Sequence, residues 1–530
     1  MVCMLRGRET MTAQTPSLER QVTRHGGKVK DLDELQTRLA TLRSRSKKIV
    51  LCHGVFDLLH IGHIRHFEQA RRFGDVLVVT VTPDRYVNKG PGRPAFPDTL
   101  RAEAIAALDC VDYVAINRWP TAVETIQLLR PDVYAKGKEY SDAKHDVTGN
   151  ITEEERAVQS IGGELVFTHD ITFSSSALIN KYLPIFPKEV TAYLAEFGRR
   201  YSAGDVLSYL EAARSLKVLA IGEAIIDEYQ YCEAVGKSAK EPVLATRYVS
   251  TEQFAGGILA VANHLANFCD QVGLLTFLGA EQSHESFVRR HLKPNVATTF
   301  LSKAHSPTII KRRFVEQYLL QKLFEVYVMN DDVVGDADNR ALCTRLREVL
   351  PQYDVVIVAD YGHGMLSEEA IKIVCERSRF LAVNTQSNAG NRGFNTISRY
   401  PRADYVCLAQ HEVALEVKNR SRSPNEMIRD VAKKLSCRHM VLTRGKYGSM
   451  CYSDREGFCE VPAFAHQVVD RMGAGDAVLA LTALCVAQQA PIEIIGFLGN
   501  VVGSQAVATL GHRTSIERAS LFKAVESLLK

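Results

Sequence analysis

Short β-branched runs separated by stretches of helical periodicity recur along most of the chain, and this alternation limits the possible folds more than any other feature. Runs at 49–52, 76–81, 111–116, 133–135 and 165–168 form one series, and runs at 218–221, 355–359, 381–383, 405–408 and 440–443 form a second. Such runs read as strands of parallel sheets with both faces covered by helices. Pro184 and Pro187 interrupt the pattern between the two series, and a helical stretch at 189–215 follows them. A chain of 530 residues also exceeds what one hydrophobic core supports. The expected fold class is therefore α/β, with two doubly wound parallel-sheet domains.

The expected layout is an N-terminal arm and helix at 1–46, a first domain at 47–182, a helical linker at 183–215 and a second domain at 216–530. Residues 1–30 are polar and aperiodic, with Met4 and Met11 as alternative starts. Leu32, Leu35, Leu39 and Leu42 then fall at helical spacing. Strand-like segments at 243–249, 311–315 and 323–328 predict a small sheet that covers a substrate in the second domain. No internal repeat or low-complexity tract is visible.

Composition excludes several function classes. Hydrophobic residues make up 46% and charged residues 24%, the balance of a globular protein. Lys plus Arg number 65 against 61 Asp plus Glu, so nothing in the charge points to nucleic acid or a membrane surface. Twelve cysteines without CxxC spacing argue against zinc and a disulfide framework, and fit a reducing compartment. The N-terminus lacks a signal-peptide core, and the longest apolar stretch, 477–487, is too short to span a bilayer. A cytoplasmic protein is expected.

Two segments carry chemistry. In the first, Cys52-His-Gly-Val-Phe-Asp-Leu-Leu-His-Ile-Gly-His63 leaves a strand, turns at Gly54 and enters a helix. Free backbone N–H groups and the helix dipole favour an anion at such a turn. His60 and His63 lie one turn apart, where both imidazoles can donate to a triphosphate. Nucleotidyl transfer needs positioning and charge stabilisation more than a protein nucleophile. A lone HxGH match would equally suit two ordinary helix-start histidines, but the required strand-turn-helix setting is present.

Gly54 to His63 resembles the signature of the cytidylyltransferase-like nucleotidyltransferases. The segments Asn88-Lys-Gly-Pro-Gly-Arg-Pro94, Leu100-Arg101, Leu108-Asp-Cys-Val-Asp-Tyr-Val114, Pro131-Asp-Val-Tyr-Ala-Lys-Gly-Lys-Glu-Tyr140 and Phe173-Ser-Ser-Ser-Ala-Leu-Ile179 resemble the adenylyltransferase half of the bifunctional ADP-heptose synthases. The likeness covers residues 47–182 and implies a Rossmann-like nucleotidyltransferase. By that resemblance His60 and His63 are catalytic, binding the triphosphate and stabilising charge at the α-phosphorus. Gly54, Phe56, Lys89, Arg101, Lys136, Ser174, Ser175 and Ser176 complete the nucleotide site. Lys89 and Arg101 could equally be solvated surface cations. Lys136 follows a buried strand at the carboxyl end of a parallel sheet, where nucleotides bind.

The second segment, Val469-Asp-Arg-Met-Gly-Ala-Gly-Asp476, opens the apolar helix at 477–487. Successive N–H groups of Gly473, Ala474 and Gly475 can surround a transferring phosphoryl group, with Asp476 placed to accept a proton from an attacking hydroxyl. A glycine turn with an N-terminal helix acid is also a common helix entry. Ile221-Gly-Glu-Ala-Ile-Ile-Asp227, Gly256-Gly257 and Leu442-Thr-Arg-Gly-Lys-Tyr-Gly448 support the functional reading, and with Val469 to Asp476 they resemble the PfkB or ribokinase family over residues 216–515.

That resemblance implies a ribokinase-like domain with a small β lid and a carbohydrate kinase activity. Asp476 would be the catalytic base; Asp227, Gly256, Gly257 and Lys311 would hold the sugar. Glu412, Thr443, Gly445, Gly473, Ala474, Gly475 and Asn500 would hold ATP. The chain departs from the family pattern at Ala260, at Asn384-Thr-Gln386 and at Gln410-His-Glu-Val413, which bears on sugar specificity and on whether the kinase is active.

Together the resemblances imply a bifunctional ADP-heptose synthase-like enzyme with its halves in reversed order. It would be a sugar kinase and a sugar-phosphate nucleotidyltransferase, making an ADP- or CDP-activated, heptose-like sugar. Expected ligands are ATP, CTP as an alternative, Mg2+ and a small sugar or sugar phosphate. No nucleic-acid or membrane partner is expected, and a homo-oligomer is. A nucleotidyltransferase acting on a polyol phosphate beside a non-catalytic kinase-like domain, or a nucleotide-sensing regulator, would share many of these features. No residue announces the base, the sugar or a metal-ligand set.

Overall fold

The computed structural model describes residues 27–87, 93–138, 150–168 and 186–530. The chain divides into two compact units, the first holding the described residues up to Thr168 and the second those from Phe186 onward. Lys89, Ser174, Ser175 and Ser176 lie outside the described residues.

The first unit is a five-stranded parallel sheet in the order β3-β2-β1-β4-β5, with β1 at Ile49–Gly54, β2 at Val76–Val81, β3 at Tyr113–Ile116, β4 at Val133–Gly137 and β5 at Glu164–Thr168. Alternate residues of a strand point to opposite faces, and β1 shows why its run must be apolar throughout. Ile49 and Leu51 pack with Leu32, Leu35, Leu39, Ile126 and Val158 on one side. Val50 and Cys52 pack with Phe67, Ala70 and Ile105 on the other. The helix Leu32–Arg43, capped by Asp31 through the Asp33 N–H, is thus part of this domain's core rather than a preface to it.

The second unit has a nine-stranded sheet and a four-stranded one. The larger runs β10-β9-β6-β13-β14-β15-β16-β17-β18. Its members are β6 (Lys217–Gly222), β9 (Gln271–Glu281), β10 (Val296–Pro307), β13 (Val355–Asp360), β14 (Leu381–Thr385), β15 (Tyr405–Ala409), β16 (His439–Thr443), β17 (Ser449–Ser453) and β18 (Gly457–Val461). All pairings are parallel up to β16, after which β17 and β18 turn antiparallel. The smaller sheet runs β12-β11-β7-β8, with β7 at Ala224–Lys237, β8 at Leu244–Gly257, β11 at Ile309–Glu316 and β12 at Gln321–Val328. It is the small sheet foreseen from sequence, with β7 added and β8 continuing to the double glycine.

The helix Ala474–Ala487 is buried from Asp476 to Val486, which explains why it is apolar all round. Among the described residues no helix is long and apolar enough to cross a membrane.

The expected linker is a structural part of the second unit. In the helix Lys188–Arg200, Val190 and Phe197 are buried, and Phe197 stacks on Phe497 with centroids 4.3 Å apart and planes at 11°. Arg200 pairs with Glu493, and the Gln488 side-chain amide donates to the Tyr209 carbonyl at 2.7 Å. The next helix, Ala203–Ala212, buries Val206, Leu207 and Leu210 behind a Ser202–Asp205 capping box. An amphipathic stripe needs a surface to cover, and here the second domain provides it.

Candidate active sites

The first site forms where β1 ends. Phe56 takes a left-handed turn (φ 47°), and its ring lies so close to Gly54 that a Cβ there would sit 3.0 Å from it. The helix Ile61–Arg71 then starts with His60 as its cap, the His60 Nδ1 accepting from the Gly62 N–H at 3.1 Å. That bond places a neutral imidazole's proton on Nε2. His63 stacks on His60 with centroids 3.9 Å apart, and the edge of Phe56 meets His63 at 5.3 Å. The two histidines expected to act together are therefore held as a pair, although one ring nitrogen of His60 serves the helix.

Two further expected residues, Arg101 and Lys136, lie around this turn with their charges already engaged. Arg101 is buried, and its guanidinium donates to the carbonyls of Phe96 (2.8 Å), Thr82 (2.9 Å) and Val55 and to Asp84 (2.5 Å). These contacts brace the loops that carry Val55 and Asp84. Asp57, missed in the sequence, accepts from the N–H groups of Ala95 (2.7 Å) and Phe96 (3.1 Å), fixing the same loop. Lys136 stands at the carboxyl edge of β4, beside β1, with its ammonium 2.8 Å from Glu154. Burial, aided by the Lys136 charge, pushes His53 down to about 3 and His66 to about 4. Both are neutral at physiological pH. His53 spans Thr80 (2.9 Å) and Thr82 (3.2 Å), and His66 meets Thr168 at 2.7 Å.

The second site lies where the small sheet meets the helix Ala474–Ala487. Asp227 on β7 is 4% exposed and stands opposite Lys311 of β11 in register. Gly256 and Gly257 end β8 beside it. A Cβ on Gly256 would fall on the Asp227 carboxylate, and Gly257 adopts φ 56° to open the helix Ile258–Ala266, so both positions require glycine. Lys311 is buried over the Tyr327 ring, 5.5 Å from its centroid, and burial holds its ammonium below the usual lysine range.

Gly473 caps the helix Ala474–Ala487 at φ 75°, and a Cβ on Gly475 would meet nothing within 4 Å. An anion can approach there. Asp476, 8% exposed in the first turn, accepts from the Tyr361 hydroxyl at 2.8 Å, and burial raises its carboxyl above the usual range against the opposing charge of His512. The sequence-expected Asp227, Gly256, Lys311 and Asp476 are thus gathered by the fold.

On the nucleotide side, Thr443 ends β16 opposite Ser449 of β17, and the Asn500 amide donates to the Ser449 hydroxyl at 2.7 Å. Gly445 turns at φ 57°. Glu412 is raised to about 7 by burial, with Asp476 contributing, so it lies near the proposed base. Its carboxylate accepts from the N–H groups of Ala409 (2.8 Å) and Ser387 (3.0 Å) and caps the helix Gln410–Glu416.

Sequence reading missed four groups here. Arg313 is two residues beyond Lys311 on the same face of β11 and ion-pairs with Asp227 and with Glu325 (3.0 Å). His512 holds Asp227 from the other side at 3.3 Å. Tyr361 orients Asp476. Glu223, two backbone amides on its carboxylate, is held above the usual range by burial and by Asp360. The run Lys311-Arg312-Arg313 between apolar residues of β11 could have flagged Arg313; no local signal marks His512.

Comparison with known proteins agrees with this division. The family described as cytidylyltransferase-like matches residues 51–181, and that described as pfkB family carbohydrate kinase matches residues 215–519. The bifunctional protein HldE of Citrifermentans bemidjiense is 39% identical over 159 residues, covering 29% of this chain and 31% of that protein. HldE of Geobacter metallireducens is 37% identical over 168 residues, covering 31% and 32%. The matched stretch is thus under a third of each of these relatives. Among solved structures, phosphofructokinase-2 of Escherichia coli in complex with potassium superposes with a TM-score of 0.48 at 14% identity, over 59% of this chain and 100% of the other. Ribokinase of Thermotoga maritima gives 0.46 at 16% identity, over 58% and 99%. Because the match at 215–519 takes in more than half of the sequence, the chain belongs to the pfkB family of carbohydrate kinases.

Proposed function

We propose that the protein is bifunctional: its second domain moves the γ-phosphoryl group of ATP to a sugar, and its first joins a sugar phosphate to AMP or CMP with release of pyrophosphate. The product would be an ADP- or CDP-activated sugar of the heptose kind. The observation that carries this reading is a pair of helix entries in two separate units of one chain, one beginning at the stacked His60 and His63 and the other carrying Asp476 in its first turn.

In the kinase step Asp476 accepts the proton of the sugar hydroxyl as its oxygen bonds to the γ-phosphorus, and ADP leaves. Tyr361 keeps that carboxylate aimed. The N–H groups at Gly473–Gly475 take the negative charge of the transferring group. Lys311 and Arg313, both buried on the sugar side, favour a substrate that is itself anionic, such as a sugar phosphate. In the transferase step a phosphate oxygen attacks the α-phosphorus, and His60 and His63 stabilise the charge that develops there.

Among the described residues no group of three or more His, Cys, Asp or Glu is placed to hold a metal ion. Magnesium fits this arrangement as the companion of the nucleotide, since it is commonly held by substrate phosphates with one or two carboxylates. It would neutralise phosphate charge, and Glu412 is the carboxylate of the expected ATP site that would help hold it.

A panel of free and phosphorylated sugars incubated with ATP or CTP tests the reading. Pyrophosphate release with a sugar phosphate and sugar-dependent ADP formation are the expected results. ADP formation absent across the panel, with pyrophosphate release intact, would leave a transferase joined to a non-catalytic kinase-like domain.

A further inference from the structure

We propose that His512 is a further positioning residue of phosphoryl transfer, its imidazolium held by Asp227 so that it carries positive charge to the mouth of the Gly473–Gly475 anion hole. This rests on the kinase reading of that site and adds a residue to it.

The placement is specific. His512 Nε2 lies 3.3 Å from Asp227 Oδ2, and both side chains are under a tenth exposed. The same ring covers Gly473: a Cβ there would run into its Cε1, Nδ1 and Nε2 atoms. Its Cδ2 edge also lies 3.4 Å from where a Gly256 Cβ would stand. One imidazole therefore stands beside the sugar-side acid, the double glycine and the first residue of the anion hole, and bulk at Gly473 would displace it.

Charge gives the placement a purpose. Asp227 is shared, Oδ1 facing Arg313 and Oδ2 facing His512. Arg313 is itself divided between Asp227 and Glu325. Around the site, the acidic side chains Asp227, Asp476, Glu223 and Glu325 outnumber the basic side chains Lys311 and Arg313. These surroundings suit a cationic side chain at position 512, and an incoming phosphoryl group adds negative charge beside it. Its charge also acts on Asp476 in the direction that keeps the base deprotonated. The other histidine nearby, His264, is buried, accepts from the Ile516 N–H at 3.0 Å and is held down to about 3, so it stays neutral.

The test compares wild type with His512→Gln, which retains a hydrogen-bonding side chain without the charge, and His512→Lys, which restores charge. For sugar-dependent ADP formation, His512→Gln should lower kcat about a hundredfold, the typical effect of removing one preorganised charge-stabilising donor, with a smaller change in KM for ATP. His512→Lys, which keeps a cation at this position, should recover part of the rate. A KM effect alone, or no recovery of rate in His512→Lys, would overturn the proposal. Calorimetric binding of inorganic phosphate gives an answer without turnover: weaker binding in His512→Gln than in wild type, regained in His512→Lys, supports it. Equal phosphate binding in the two proteins overturns it, whereas failure of the kinase reading alone would appear as absent ADP formation with this phosphate difference retained.

Discussion

Replacing Phe197 by alanine should destabilise the second domain severely, even though the residue lies in the stretch whose sequence reads as a linker. Phe197 is fully buried, stacked 4.3 Å from Phe497 and flanked by Tyr201 at 5.0 Å and Tyr193 at 5.9 Å. Truncating a buried phenylalanine typically costs about 3–5 kcal/mol, part of it the ring-ring interaction. That is a large share of the roughly 5–15 kcal/mol by which a domain is stable. The measurement is urea unfolding of a fragment covering 184–530, with and without the substitution, read by far-UV circular dichroism. A fragment beginning at 216 should aggregate, because the helix Ile492–Val507 would lose its cover. A loss below about 1 kcal/mol in Phe197→Ala, or a well-folded 216–530 fragment, would refute the assignment of these helices to the kinase core.

His63→Ala should lower pyrophosphate release about a hundredfold or more while leaving sugar-dependent ADP formation in place, measured on the same preparation. Asp476→Asn should abolish sugar-dependent ADP formation and spare ATP binding, which calorimetry can follow. For His264, burial holds the folded-state value near 3 against an ordinary 6.5, so the folded protein binds fewer protons than the unfolded chain. Its contribution is therefore present above pH 6.5 and is lost as pH falls towards 3. His264→Gln should flatten the melting-temperature decline in that window, and an unchanged slope would show that other groups cause it.

The parts of the fold legible in sequence were those set by local pattern. The continuous apolar runs of β1, β2, β13 and β16 are buried from both faces, so their composition announces them. β7 was not legible, because Asp227, Glu228 and Gln230 interrupt its run, while the structure pairs Asp227 with Arg313 and gives Glu228 bonds from Arg312, Gln253 and Gln230. The helix Lys188–Arg200 had a visible stripe, but periodicity does not say which surface a stripe covers. The burial of Arg101 was not legible for a related reason: basic residues are usually exposed, and the carbonyl partner supplied by Val55 lies 46 residues away in sequence.

The two sites solve one physical problem with different means, and the difference follows from where each sits. Both place a helix entry, where backbone N–H groups converge and favour an anion, beside a parallel sheet. In the first, the nearby basic residues are committed: Arg101 to carbonyls and Asp84, Lys136 to Glu154. The stacked pair His60 and His63 is then the part of the described turn that can present imidazole donors to a triphosphate. In the second, the small sheet adds a wall from which Lys311 and Arg313 enter from β11, and Asp227 divides its carboxylate between a guanidinium and an imidazole. Removing Asp227 would therefore release two cations at once, whereas removing His512 alone leaves the Asp227–Arg313 pair intact. This asymmetry separates the sugar-side acid from the residue that serves the phosphoryl group.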